Sequence, residues 1–232
     1  MEIRDSVALV TGANRGLGRH FAEQLLGRGA ARVYAAARNP DAVDLSGVTP
    51  IRIDVTDPAS IAAAAAIATD ATLVINNAGI STGTHLTDGD AGNIRLEMDT
   101  HYFGALDVTR AFAPILAANG GGAILNVLSV LSWVHLPNTG AYSAAKAAAW
   151  AMTNVVRQEL APSGIHVAAL HVGYMDTDMA RAVAPDQKID PAVVAALALD
   201  GIEEGAMEIL ADDLTRTVKR GLAAPPPVPA AG

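Results

Sequence analysis

The sequence predicts an α/β fold of the doubly wound kind, a mostly parallel central sheet of seven strands with helices on both faces. Three observations predict it. Short apolar runs recur along the chain, helix-length stretches stand between them, and a glycine cluster separates the first run from the first helix. A strand that returns through a helix to a parallel neighbour crosses right-handedly, so this cadence covers both faces of the sheet.

The first run, residues 7–10, is closed by Thr11-Gly12, the pattern of a buried parallel strand entering a glycine turn. Further runs at 33–36, 51–53, 72–75, 123–128 and 165–170 read as strands of the same sheet, and 207–210 as a last short one. Helices are expected at 17–26, 59–68, 94–117, 141–160 and 191–199, with a closing helix over 211–222. The alanine-rich 59–68 stretch suits a helix because alanine has the highest helix propensity, and Ile61 and Ile67 can anchor it. The resulting expectation is one domain over residues 1–224, followed by a Pro/Ala-rich disordered tail at 225–232 that can neither continue a helix nor donate to a sheet.

Composition narrows the function classes. Of 232 residues, 51% are hydrophobic, enough for one core, and 16 Lys and Arg against 24 Asp and Glu give a net charge of -8. That balance argues against binding nucleic acid or an anionic membrane surface. With no cysteine and six scattered histidines, no metal site is expected. The charged start Met1-Glu2-Ile3-Arg4-Asp5 lacks an apolar signal core, so the expected location is cytoplasmic.

The chemistry begins at Thr11-Gly12-Ala13-Asn14-Arg15-Gly16-Leu17-Gly18. After a strand and before a helix, such a turn lets backbone N–H groups and the helix N-terminus approach a pyrophosphate. Gly12 would make the turn, Gly16 the close approach, and Gly18 the tight packing of helix on strand. Taken alone, a glycine cluster serves equally as a flexible turn; the second strand at Val33 supplies the βαβ context. At the end of that strand, where a carboxylate would hold the ribose of NAD, the chain has Ala37 and Arg38. Arg38 with Arg15 can clamp the extra phosphate of NADP(H), unless both are simply solvated surface residues.

Four further segments fall in order behind that loop: Asp54-Val55, Asn76-Asn77-Ala78-Gly79, Ser129, and Tyr142-Ser143-Ala144-Ala145-Lys146. Together with Thr11 to Gly18 they resemble the short-chain dehydrogenase/reductase family over essentially the first 180 residues. The glycine loop looks like its TGxxxGxG motif and Asn76 to Gly79 like its NNAG segment. Tyr142 and Lys146 match its YxxxK signature, with Ser129 at the usual thirteen-residue separation. The resemblance implies a Rossmann-type fold and a cofactor site of Gly12, Asn14, Arg15, Gly16, Leu17, Gly18, Arg38, Asp54, Val55, Asn77, Ala78, Gly79, Tyr142, Lys146, Gly173 and Thr177. It also implies that Ser129, Tyr142 and Lys146 are catalytic.

The residue chemistry agrees. Tyr142 and Lys146 stand four apart, on one face of a helix, where the ammonium together with the positive charge of an oxidised nicotinamide is expected to bring the phenol's pKa nearer neutrality. Ser129 follows an apolar strand, at the carboxyl end of the sheet where α/β ligands bind.

Three departures qualify the resemblance. His101 occupies the slot where the family usually has an asparagine that helps relay protons to the lysine; an imidazole can also donate and accept, or can be a satisfied interior residue. Val172-Gly173 stands in place of Pro-Gly. The C-terminal segment lacks the Asp-Gly-Gly strand of tetrameric members, so a homodimer through the two long central helices is expected, although the Ala147 to Ala151 surface reads equally as core. The pocket is expected from Leu131, Trp133, His135, Leu136, Tyr174, Met175 and Met179, mainly apolar, with a small helical lid between Tyr174 and Pro191. The leading expectation is NADPH-dependent reduction of a hydrophobic or aromatic ketone or aldehyde. An NAD-linked alcohol dehydrogenase and a catalytically weak NADP-binding sensor are the alternatives.

Overall fold

The computed structural model of the protein describes residues 1–223, so the expected tail at 225–232 lies outside the described residues. Seven strands form one sheet: β1 (Val7–Thr11), β2 (Arg32–Ala37), β3 (Thr49–Arg52), β4 (Leu73–Asn76), β5 (Gly122–Val127), β6 (Ile165–His171) and β9 (Glu208–Leu210). Their order is β3-β2-β1-β4-β5-β6-β9 and every pair is parallel. The order reverses between β1 and β4, and in such sheets ligands bind outside the carboxyl ends of the strands at that reversal.

Helices α1 (Gly16–Gly27) and α6 (Pro191–Glu203) cover one face. Their Phe21, Leu25, Val194 and Ile202 pack on Val10, Val33, Ile75 and Leu170. The other face carries α2 (Pro58–Ile67), α4 (Gly104–Ala118) and α5 (Gly140–Leu160), whose Ile61, Phe112 and Met152 meet Leu9, Val74 and Val167. The central strands are apolar on both sides because both sides are buried, which is why they read as continuous runs instead of alternating; the edge strand β3 buries only Ile51.

The single long helix expected over 94–117 is three pieces: α3 (Ala91–Met98), a π-helical turn at Asp99–Phe103, and α4. A π turn inserts one extra residue into the helix register, and here it directs Thr100 and His101 into the interior. Between β6 and α6 the expected helical lid consists of two 3-10 turns, Asp178–Ala180 and Pro185–Gln187, tied down by a two-stranded parallel ladder of β7 (Tyr174–Met175) and β8 (Lys188–Ile189). The chain then runs through β9 into α7 (Asp213–Gly221). Among the described residues no helix is long and apolar enough to cross a membrane.

Candidate active site

The glycine loop lies at the carboxyl end of β1. Gly12 has φ +68°, a left-handed conformation that a side chain would strain, and a Cβ on Gly18 would overlap the Gly12 carbonyl. The Thr11 hydroxyl ties this loop to the segment after β4: it donates to the Ile75 carbonyl at 3.2 Å and accepts from the amides of Asn77 and Ala78 at 2.9 and 3.0 Å. The Asn77 side chain donates back to the Thr11 carbonyl at 2.9 Å.

The start of α1 differs from that of four other helices, while α5 shares its lack of a side-chain cap. Helices α2, α3, α6 and α7 each begin on an aspartate, Asp57, Asp90, Asp190 and Asp212, whose side chain accepts a first-turn amide. Helix α1 begins after Arg15 with no side-chain cap and no acid in its first turn. Its free amides and positive dipole end fit an anionic pyrophosphate, which a capping carboxylate would exclude. Thr177 closes the far side, its methyl within 3.5 Å of where a Gly16 Cβ would stand.

Arg15 and Arg38 are both exposed beyond this loop. Arg15 pairs with Asp178 at 3.2 Å; with both partners mostly exposed, the pair is weak and can yield to a phosphate. Asp54 would be raised by its partial burial, but bonds from Thr56 and the charges of Arg38 and Arg52 hold it below the usual carboxylate range. Val55 packs against Gly104, where a Cβ would come within 2.9 Å of the valine side chain, so α4 can close on the segment after β3.

Ser129, Tyr142 and Lys146 converge just beyond β5. Ser129 begins a 3-10 turn and its Oγ accepts the Leu131 amide at 3.1 Å, which occupies a lone pair and leaves the hydroxyl proton for the Tyr142 phenol it faces. Lys146 is buried, its Nζ donating to the Val127 carbonyl at 2.7 Å and standing 5.6 Å from the Tyr142 ring centre. Of the two positive charges expected to lower the phenol, the Lys146 ammonium by itself does not do so. Burial pushes the Tyr142 phenol up from its ordinary value, against the Ser129 bond and together with the charge of Glu97. Burial likewise pushes Lys146 down to about 8, opposed by Glu97. Burial disfavours the charged form of each group.

His101 stands beside this set, its ring edge-on to Tyr142 with centres 5.1 Å apart. Its Nε2 lies 2.8 Å from the Ile80 carbonyl and 3.2 Å from Oε2 of Glu97, whose other oxygen accepts the Thr82 amide at 2.6 Å. Burial and the Lys146 charge push His101 down to about 4, so it is neutral near pH 7.

The pocket residues divide. Leu131 is buried, and Trp133 stacks on His171 at 3.8 Å and meets Trp150 edge-on, so neither is a free wall. Met175 is half-buried against the core. His135, Leu136, Tyr174 and Met179 are exposed, on the two loops that flank the site. The amide of Gly173, expected to meet a nicotinamide, donates instead to Oδ2 of Asp212 at 2.6 Å.

Several residues that shape the site escaped the sequence reading. Glu97 stands four residues before His101, a spacing that could have revealed it. Asp212, His171 and Lys219 have no local signal. Lys219, from α7, sits 4.9 Å over the Trp133 ring and bonds Glu208 at 2.8 Å; His171 contacts the Ser129 carbonyl at 3.2 Å. The C-terminal helix thereby braces the Ser129 turn. Beneath it, Asn76 donates to Asn126 at 2.8 Å and Asn126 to Thr153 at 2.9 Å, joining β4, β5 and α5.

Known proteins agree with this arrangement. A family model described as short chain dehydrogenase matches residues 6–188. A solved structure of a short chain dehydrogenase from Burkholderia cenocepacia, in complex with NADP, superposes with a TM-score of 0.92 at 43% identity, over 97% of this chain and 95% of the other. The 3-oxoacyl-[acyl-carrier-protein] reductase FabG of Salmonella typhimurium is 30% identical, covering 92% of each chain. Dehydrogenase/reductase SDR family member 7B of Mus musculus is 30% identical over 89% of this chain; the protein spans 65% of that relative's length. The chain belongs to the short-chain dehydrogenase/reductase family, and its fold is of the Rossmann type.

Proposed function

We propose that the protein is an NADP(H)-dependent carbonyl reductase acting on a hydrophobic or aromatic ketone or aldehyde. The observation that carries this reading is the convergence of Ser129, Tyr142 and Lys146 beside an α1 N-terminus left uncapped. The α1 amides, Asn77 and Thr177 would hold the dinucleotide, and Arg15 and Arg38 its extra phosphate. When bound, the dinucleotide supplies the hydride. Tyr142, kept protonated by burial, donates its proton to the substrate oxygen, and Ser129 holds that same oxygen by a hydrogen bond. Lys146 offers a buried cation with two N–H groups beyond the one spent on Val127, which favours the phenolate left after transfer.

Support for NADP over NAD comes from the absence of a carboxylate after Ala37, from Arg38, and from the NADP-bound Burkholderia neighbour. Support for a carbonyl substrate comes from the Salmonella reductase. The exposed Leu136, Tyr174 and Met179 favour an apolar substrate, since the nearby cations Arg181 and Lys188 are already paired with Asp178 and Asp176. The reading includes a cytoplasmic location and a homodimer built on α4 and α5.

The test is NADPH oxidation across a panel of aryl, cyclic and aliphatic ketones, with Tyr142→Phe as control. Native enzyme should turn over apolar ketones, and the variant should lose about 100- to 10,000-fold in kcat while binding NADPH within about threefold of native. Retained activity in the variant would remove Tyr142 as proton donor. Tight NADPH binding without turnover of any ketone would favour the sensor reading.

A further inference from the structure

Glu97 has no part in the mechanism above, yet it is fully buried beside the proposed catalytic set. Its Oε1 does a structural job, accepting the Thr82 amide at 2.6 Å. Its Oε2 does not: among the described residues it meets only the His101 ring, 3.2 Å from Nε2. A buried carboxylate oxygen with a single long contact is costly, so loop packing does not account for its placement.

His101 supplies one. Its Nε2 faces the Ile80 carbonyl at 2.8 Å and a carboxylate at 3.2 Å, which only accept; the Ile80 amide also points at it, but at 3.4 Å, so the two closer acceptors assign the proton to this nitrogen. Nδ1 is then a bare acceptor, and it is buried with no partner. The ring cannot turn away, because its Cε1 is packed against Gly79, where a Cβ would approach to 2.7 Å. His101 and Lys146 both line one small cavity of about 10 Å³, together with Asn76, Thr100 and Asn126. The ionisable groups facing Lys146 come from three directions: Tyr142 on its own helix, Glu97 and His101 from α3 and the π turn, and His171 from β6. Only Glu97 among them is an anion at neutral pH.

We propose that Glu97 is a positioning residue for this site. Its carboxylate holds His101 in the Nε2-protonated form, with Nδ1 presented as an acceptor, and counterbalances the Lys146 ammonium. The pH at which Tyr142 and Lys146 work is therefore set by a residue that touches neither substrate nor cofactor. The inference rests on the reductase reading for its kinetic consequence, but the histidine tautomer does not.

The test uses Glu97→Gln, which keeps an oxygen for the Thr82 amide and removes the charge. Loss of the anion destabilises the ammonium and relieves the phenolate, so both groups titrate lower. The pH profile of kcat should shift toward acid by about 0.5 to 1 unit, with Glu97→Asp restoring much of the native profile. A Glu97→Gln profile that superimposes on the native one, with only rate or melting temperature changed, would overturn the proposal. Nitrogen-15 NMR of the histidine rings in the native protein gives a second arm that needs neither turnover nor a folded variant. His101 should show the Nε2–H form from pH 6 to 8; an Nδ1–H form or an imidazolium there would sink the positioning role. Absence of turnover with the expected tautomer would count against the reductase reading alone.

Discussion

Single side chains decide which cofactor this site prefers. Arg38 follows β2 at the point where the ribose of a bound dinucleotide would lie; the acid its charge acts on, Asp54, comes from the segment after β3. A guanidinium there attracts a phosphate dianion, whereas a carboxylate would repel it and bind ribose hydroxyls. Arg38→Asp should therefore lower NADPH affinity at least about tenfold and raise that for NADH, measured by fluorescence titration of both. An unchanged preference would leave Arg15 as the discriminating cation or end the NADP assignment. At this scale, legibility followed sequence locality. The positions of Ser129, Tyr142 and Lys146 were readable because each lies in a motif of fixed spacing. The direction of the Tyr142 shift was not, because it depends on burial, which spacing does not encode. Asp212 reaches Gly173 across 39 residues, and no periodicity announces such a contact.

At the scale of elements, the central strands were visible in the sequence because they are apolar on both faces, whereas the edge strand β3 buries only Ile51, and the longer helices show their period. The π turn at Asp99–Phe103 was invisible, since one extra residue in a helix leaves the composition unchanged while rotating everything after it. That rotation has an outward consequence as well as an inward one. With His101 turned in, Phe103 is 47% exposed, and Arg110 and Pro114 follow it on the surface at helical spacing along α4. On α5, Ala144, Ala151 and Val155 are exposed at the same kind of spacing, and Trp150, half-buried against Trp133 and Lys219 of its own chain, is not part of that strip. Small residues beside an exposed Phe and Val suit close helix packing between two copies, the homodimer proposed above. Val155→Arg would place like charges across the twofold axis. Sedimentation velocity should then show monomer where the native protein sediments as a dimer, and a native monomer would remove the proposal.

Across the whole molecule, buried ionisable groups set how stability depends on pH. His101 and His171 are held near 4 in the folded protein, chiefly by burial, against about 6.5 in an unfolded chain. Between those values the unfolded chain binds protons that the folded protein refuses, so stability falls as pH drops below about 6.5. Glu97 and Glu208 lie below the ordinary carboxylate range despite burial, because bonds and charges from His101 and Lys219 outweigh it, and they extend the loss to still lower pH. Lys146, near 8, has the same sign at the other end: above that pH the unfolded chain retains a proton the folded protein sheds, so stability rises. The site thus makes the fold acid-sensitive before any carboxylate reaches its usual titration range. By pH 5 each histidine accounts for up to about 2 kcal/mol, which for a chain of this size lowers the melting temperature by about 4–8 °C per residue. Calorimetry at pH 7, 6 and 5 should record that fall, and His171→Gln should roughly halve it; an identical fall in the variant would move the acid sensitivity from the buried histidines to the surface carboxylates.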